Sequence, residues 1–314
     1  MLAAARAAAA SEFAPSPKGK VVVLTGATGE IGTAIAQGLN LANNLAPTVG
    51  HLIIISRREG RGERVAQRLR NRSLRVSVVE ADLSKRSAVD ACVQQISALT
   101  PTVDVFIHAA AEVTRTHTLT EGDLEVQFAT NCLSSFMLMT RLLPLFSARG
   151  RVVLLSDAKL SGGLDLADLQ SARGDYNAAD VYAKSKQALR MLAAEAAEPG
   201  RGFAEAGVSV TACHPGLVAS PLSAALGIGS SVTTDSTATA GKTPLFLALG
   251  PAPGGVGKMW ITVSGSFWVN KQQTRCAHAA DREARRALWD ACAELAAASA
   301  PQPAGVVAVA ADNP

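Results

Sequence analysis

Short, unbroken runs of apolar and β-branched residues recur along this chain. They are KVVVLTG near 20, HLIIISRR near 51, RVSVVEADL near 75, VDVFIHAA near 103, GRVVLLSD near 150, GVSVTACHPG near 207 and MWITVSGSFW near 259. None alternates cleanly with polar residues, so each suits a strand covered on both faces, as in a parallel sheet. Helix-favouring segments separate them at 31–44, 60–72, 86–98, 120–148 and 180–198, and another follows at 280–298. That alternation predicts βαβ units and an α/β fold: a single doubly wound parallel sheet with helices on both faces.

No linker-like break interrupts 18–298, which reads as one domain of a 314-residue chain. The alanine-rich 1–17 reads as a disordered leader or a weak presequence, and the Ala/Pro-rich 299–314 as a loose tail. One stretch, 217–257, is rich in Ser, Thr, Gly and Ala and separates the last two strands. In a doubly wound fold an insertion there suits a substrate lid, or else a merely variable loop.

Composition excludes several classes. The formal charge is +4, and the Arg57–Arg64 and Arg282–Arg286 clusters lack interleaved aromatics, so a nucleic-acid surface is not expected. Five cysteines, odd in number and without a CxxC pair, argue against both a disulfide framework and a zinc site. They suit a reducing compartment, the cytoplasm or, given the leader, an organelle. His51, His117 and His278 share no ligand spacing, so no metal is expected. No stretch is apolar enough to predict a membrane-spanning helix.

The strongest local signal at the front is VVVLTGATGEIGTAIA. A buried strand ends at Thr25, then Gly26, Gly29 and Gly32 precede a helix. Glycines in that context permit a tight turn, close backbone approach to a pyrophosphate and close helix–strand packing, while the helix N-terminus offers free N–H groups. After the second strand, where NAD sites carry an acid for the ribose hydroxyls, the chain has Arg57 and Arg58. Guanidinium forks suit a 2′-phosphate, which favours NADP(H) over NAD(H); the competing reading is an ordinary basic turn. Asp82, at the end of the third strand, is placed to meet the adenine.

Only two tyrosines occur, and one of them, Tyr182, lies one helical turn before Lys186. Residues i and i+4 share a helix face, and an ammonium beside a phenol favours tyrosinate. Tyr182 therefore suits a general acid/base in alcohol–carbonyl interconversion. Tyr176 has no such lysine and belongs to the loop before that helix.

At this point the chain resembles the short-chain dehydrogenases/reductases, and in LADLQSARGDYNAADVYAKSKQAL and RALWDACAEL their retinol-dehydrogenase-like branch. The likeness rests on TGATGEIG (Thr25 through Thr28, Gly29, Glu30 and Ile31 to Gly32), ADL ending in Asp82 and Leu83, Asn131, YAKSK, and CHPGLV with Pro215, Gly216 and Val218. It covers roughly 18–298 and implies a Rossmann-type fold with hydride transfer between NADP(H) and a small-molecule carbonyl or alcohol, apolar and retinoid- or lipid-like. It implies that Tyr182 donates the proton, Lys186 binds the nicotinamide ribose, Asn131 holds a relay water, and His214 to Gly216 pass the nicotinamide. A homodimer is compatible with it.

The stretch after the fourth strand, His108, Ala109, Ala110 and Ala111, departs from the family's Asn-rich pattern. His108 reads as structural or cofactor-adjacent, and Cys132 as helix packing. A sharper departure concerns the family's serine after the fifth strand. The branch's spacing from Tyr182 lands on Asp157, leaving Ser156 one position away. Either Ser156 serves after a local shift or the serine is lost. An ionised Asp157 opposes the tyrosinate; a neutral one donates a hydrogen bond to the substrate oxygen. The rival to an enzyme is thus a catalytically impaired nucleotide-binding or scaffold protein.

Overall fold

The structure, a computed structural model, describes residues 19–45, 48–70, 74–158, 163–251 and 260–298. The leader, the tail and residues 252–257 of the insertion lie outside the described residues.

Strand and helix alternate as the apolar runs predict. The order is β1 (Lys20–Thr25), α1 (Glu30–Leu45), β2 (Val49–Ser56), α2 (Glu59–Leu69), β3 (Arg75–Glu80), α3 (Arg86–Leu99) and β4 (Val103–His108). Then α4 runs through Val126–Phe128, a π turn at Ala129–Leu133, and Ser134–Arg141. It is followed by β5 (Phe146–Leu155), α5 (Ala178–Ala196), β6 (Ser209–His214), α6 (Pro221–Ala225) and α7 (Thr237–Leu249). The described chain closes with β7 (Phe267–Val269), β8 (Gln272–Thr274), α8 (Ala277–Ala280) and α9 (Arg282–Ala297).

These strands form one sheet in the order β3-β2-β1-β4-β5-β6-β7-β8. Every neighbouring pair is parallel except β7 with β8. The order reverses between β1 and β4, where Thr25 pairs with His108 and their carboxyl ends open a cleft. Alternate residues of one strand serve opposite faces. Val21 and Val23 join a core with Cys92, Leu133, Leu189 and Trp289, whereas Val22 and Leu24 join one with Ile35, Leu39, Leu69 and Leu247. Two-sided burial explains the missing polar alternation.

Three expectations need correction. The run near 259 is not a strand at its start: Trp260–Val263 is a single 3-10 turn. Gly265 adopts φ +82 before the short β7, and Trp260 and Trp268 pack with Phe246 in the core. The segment 120–148 is helical only from Val126, because Thr120 and Leu124 close a turn through Asp123 at φ 56, and Phe146 already begins β5.

The third correction concerns the insertion. Ser236 caps α7, its hydroxyl accepting from the backbone of Thr239 at 3.1 Å. The helix packs so closely on α1 that a Cβ at Gly38 would stand 2.2 Å from Leu245 Cδ1. Leu247 and Ala248 are buried in the core. Residues 237–249 are therefore a helical layer against the sheet rather than a loop.

Candidate active site

The three glycines after β1 do three different jobs. Gly26 has φ +72, and a Cβ there would lie 2.6 Å from the backbone of Ala109 and Ala110. At Gly32 a Cβ would come within 2.0 Å of the Gly26 carbonyl oxygen. Gly29 meets only that oxygen, at 3.5 Å, and with Thr28 and Glu30 it is exposed, while Ile31 is half-buried. Two glycines are thus enforced by backbone contact and the third opens outward. That cradle fits a pyrophosphate against the N-terminus of α1.

Thr25 locks the cradle to β4. Its hydroxyl oxygen accepts from the N–H groups of Ala109 at 3.1 Å and Ala110 at 3.0 Å, and lies 3.2 Å from His108 Nδ1. His108 is buried, and burial, aided by the Lys186 charge, pulls its pKa down to about 3. Its ring is therefore uncharged at neutral pH.

Arg57 and Arg58 follow β2 and are exposed. Arg57 Nη1 pairs with Glu112 Oε2 at 2.7 Å. Beside them Thr28, Thr33 and Gln37 of the α1 side face Arg61, Arg64 and Arg68 of α2 around a cavity of about 250 Å³. Asp82 Oδ1 accepts from Ser84 N–H at 3.1 Å and its hydroxyl at 2.8 Å, and Leu83 is buried. On the far side of the cleft Gly216 has φ +121, and a Cβ there would meet Asp235 Cγ at 2.9 Å. Asp235 also accepts from Leu217 N–H at 2.8 Å and bridges Val218, which fixes the chain that leaves Pro215.

The π turn in α4 places Asn131, buried, in the same region. Its Nδ2 donates to Ser185 Oγ and to the Glu112 carbonyl, each at 3.0 Å, and its Oδ1 accepts from Glu112 N–H at 2.7 Å. Ser185 belongs to α5, the helix that carries Tyr182 and Lys186. Asn177 caps that helix by accepting from Ala179 and Asp180 N–H groups. Lys186 Nζ lies 5.5 Å from the Tyr182 ring centroid and donates to the Leu155 carbonyl at 3.0 Å. Burial draws the Lys186 pKa down to about 8, against the upward pull of Asp157, Cys132 and Cys213. Tyr182 is buried, and burial first, the Asp157 charge second, raises its pKa above the ordinary value.

Ser156 and Asp157 separate cleanly. The Ser156 hydroxyl donates to the Lys186 carbonyl at 2.6 Å, which turns it toward the α5 backbone. Asp157 is the one whose charge reaches Tyr182, and its Oδ1 lies 3.9 Å from His214 Nδ1. His214 Nδ1 also accepts from Ala158 N–H at 3.3 Å.

Comparison with known proteins decides the family. Residues 20–229 match the model of the short chain dehydrogenase family. The chain belongs to that family. It is 30% identical to retinol dehydrogenase 13 of Homo sapiens over 298 residues, covering 90% of this chain and 86% of that protein. It is 29% identical to polyprenol dehydrogenase of Danio rerio over 215 residues, 65% of this chain and 63% of that protein. The crystal structure of NADPH-bound carbonyl reductase from chicken fatty liver superimposes with TM-score 0.59 over 82% of this chain and 99% of that one, at 18% identity. At that identity the likeness shows the fold alone. Together these place the chain in an oxidoreductase family, in its retinol-dehydrogenase-like branch.

Some residues of this dehydrogenase's cleft escape a sequence reading. Glu112 belongs to no motif, and Ser185 is an unassigned position within YAKSK; their contacts with Asn131 expose both. The three arginines of α2 are legible afterwards as an i, i+3, i+7 stripe. Among the described residues no group of His, Cys, Asp or Glu could hold a metal ion, and no helix is long and apolar enough to cross a membrane.

Proposed function

We propose that this protein interconverts a carbonyl and an alcohol on an apolar, retinoid- or lipid-like small molecule, with NADP(H) as cofactor and Tyr182 as general acid/base. The observation that carries the reading is Asn131, Ser185, Tyr182 and Lys186 joined on α4 and α5 beside a glycine cradle. Bound NADP(H) supplies or accepts the hydride. Gly26, Gly29, Gly32 and the start of α1 hold its pyrophosphate, Arg57 and Arg58 its 2′-phosphate, and Asp82 and Leu83 border its adenine. Pro215, Gly216 and Val218 line the nicotinamide end. Tyr182 gives its hydroxyl proton to the substrate oxygen during reduction and takes it back during oxidation. Lys186, charged below about pH 8, supports the tyrosinate left behind. Asn131 holds the water that returns the proton.

A second reading rests on Asp157. A carboxylate acting on Tyr182, where the family has a serine, suits a protein that binds the nucleotide without turnover. One experiment separates them: titrate nicotinamide fluorescence with NADPH and NADH, then follow NADPH consumption with apolar ketones and aldehydes. The oxidoreductase reading expects tighter NADPH binding and turnover. NADPH binding with no turnover of any carbonyl or alcohol favours the second reading, and no binding removes both.

A further inference from the structure

Arg57 follows β2 and Glu112 follows β4, so their ion pair at 2.7 Å spans the sheet order β2-β1-β4 across the top of β1. Arg57 is the group read above as the partner of the 2′-phosphate. Glu112 is not a loose surface arm. Its backbone N–H donates to Asn131 Oδ1 at 2.7 Å and its carbonyl accepts from Asn131 Nδ2 at 3.0 Å. The carboxylate is therefore presented to Arg57 from a fixed base inside the cleft.

We propose that Glu112 is a specificity-determining residue whose carboxylate competes with the 2′-phosphate of NADP(H) for Arg57. The inference rests on the NADP(H) reading above. The two partners' side chains are 56% and 31% exposed, so water screens the pair and it opens readily. A phosphate brings more charge and three acceptor oxygens and displaces the carboxylate. NAD(H) offers Arg57 only hydroxyls there, so the internal pair stays closed. Glu112 thereby lowers NADPH affinity below what Arg57 alone would give and leaves NADH nearly untouched.

The test compares dissociation constants for NADPH and NADH, read by nicotinamide fluorescence, in the full chain and in Glu112→Gln, Arg57→Ala and the double variant. Glu112→Gln keeps the backbone that clamps Asn131; Glu112→Asp, too short to hold the same pair, is measured beside it in case the amide disturbs folding. We expect either change at Glu112 to tighten NADPH about two- to fivefold, the range an exposed ion pair spans, with NADH unchanged. In the Arg57→Ala background that gain disappears. Unchanged or weaker NADPH binding in the Glu112 variants overturns the inference. So does a gain that persists without Arg57, which would mean direct repulsion. If Arg57→Ala itself leaves NADPH binding unaltered, the 2′-phosphate assignment fails first and the inference falls with it.

Discussion

Asp157 Oδ1 stands 3.9 Å from His214 Nδ1, and its charge raises the pKa of Tyr182 on α5. The contact joins the ends of β5 and β6, neighbours in the sheet, to the proposed proton donor. It makes Asp157→Ser informative. Removing the carboxylate lowers the pH at which Tyr182 ionises, and one unit of that shift raises the tyrosinate fraction about tenfold. Alcohol oxidation, which needs tyrosinate, should rise by up to that factor near pH 8, with the rising limb of its pH profile moved to lower pH. An unchanged pH profile would show that Asp157 does not act on the tyrosine.

The glycine cradle predicts an ordered series. Gly26→Ala must place a Cβ 2.6 Å from backbone at φ +72, and Gly32→Ala 2.0 Å from a carbonyl oxygen. Both should lose about 2 kcal/mol or more of stability and most NADPH binding. Gly29→Ala meets nothing nearer than 3.5 Å. It should unfold within about 0.5 kcal/mol of the parent yet bind NADPH more weakly, because its side chain enters the phosphate space. Equal destabilisation by all three, read by thermal melts, would contradict this division of labour.

Acid should unfold the protein partly through its buried histidines. Burial lowers His108 to about 3, and burial with Arg75 lowers His51 to about 4, from an ordinary 6.5. The unfolded chain then binds more protons below pH 6.5, so this stability is full above 6.5 and is lost as pH falls toward those values. His108→Asn removes one of the two proton sites. At pH 4.5 it should have lost about 2 kcal/mol less than the parent, relative to pH 7; parallel denaturation curves would contradict it.

The sheet was legible because its central strands are buried on both faces: HLIIIS has no polar residue after His51 until Ser56, and β2 is buried throughout. Helix α7 was not. Its residues, TATAGKTPLFLAL, are small and polar enough to read as a loop, and Gly38 makes the room that lets Leu245 pack. Within the site, the residues read from motifs do converge: Gly26 on Ala109, Asn131 on Ser185, Lys186 on Tyr182. Spacing from Tyr182 lands on Asp157 but leaves open a local shift to Ser156, since a one-residue change at a strand end reverses the side chain. The contacts of the two residues separate them. Spacing could not show that Glu112 holds both Arg57 and Asn131, because those partners are far apart in the chain and meet only through the topology.

The central claim is that the Tyr182 hydroxyl supplies the proton. Tyr182→Phe removes that oxygen and little else from a buried site. The decisive measurement is the rate of NADPH-dependent carbonyl reduction by this variant beside the parent, with NADPH affinity and melting temperature measured on the same samples. NADPH binding should be unchanged and the rate reduced by at least about a hundredfold. A variant that folds, binds NADPH and still reduces the carbonyl at the parent's rate would contradict it.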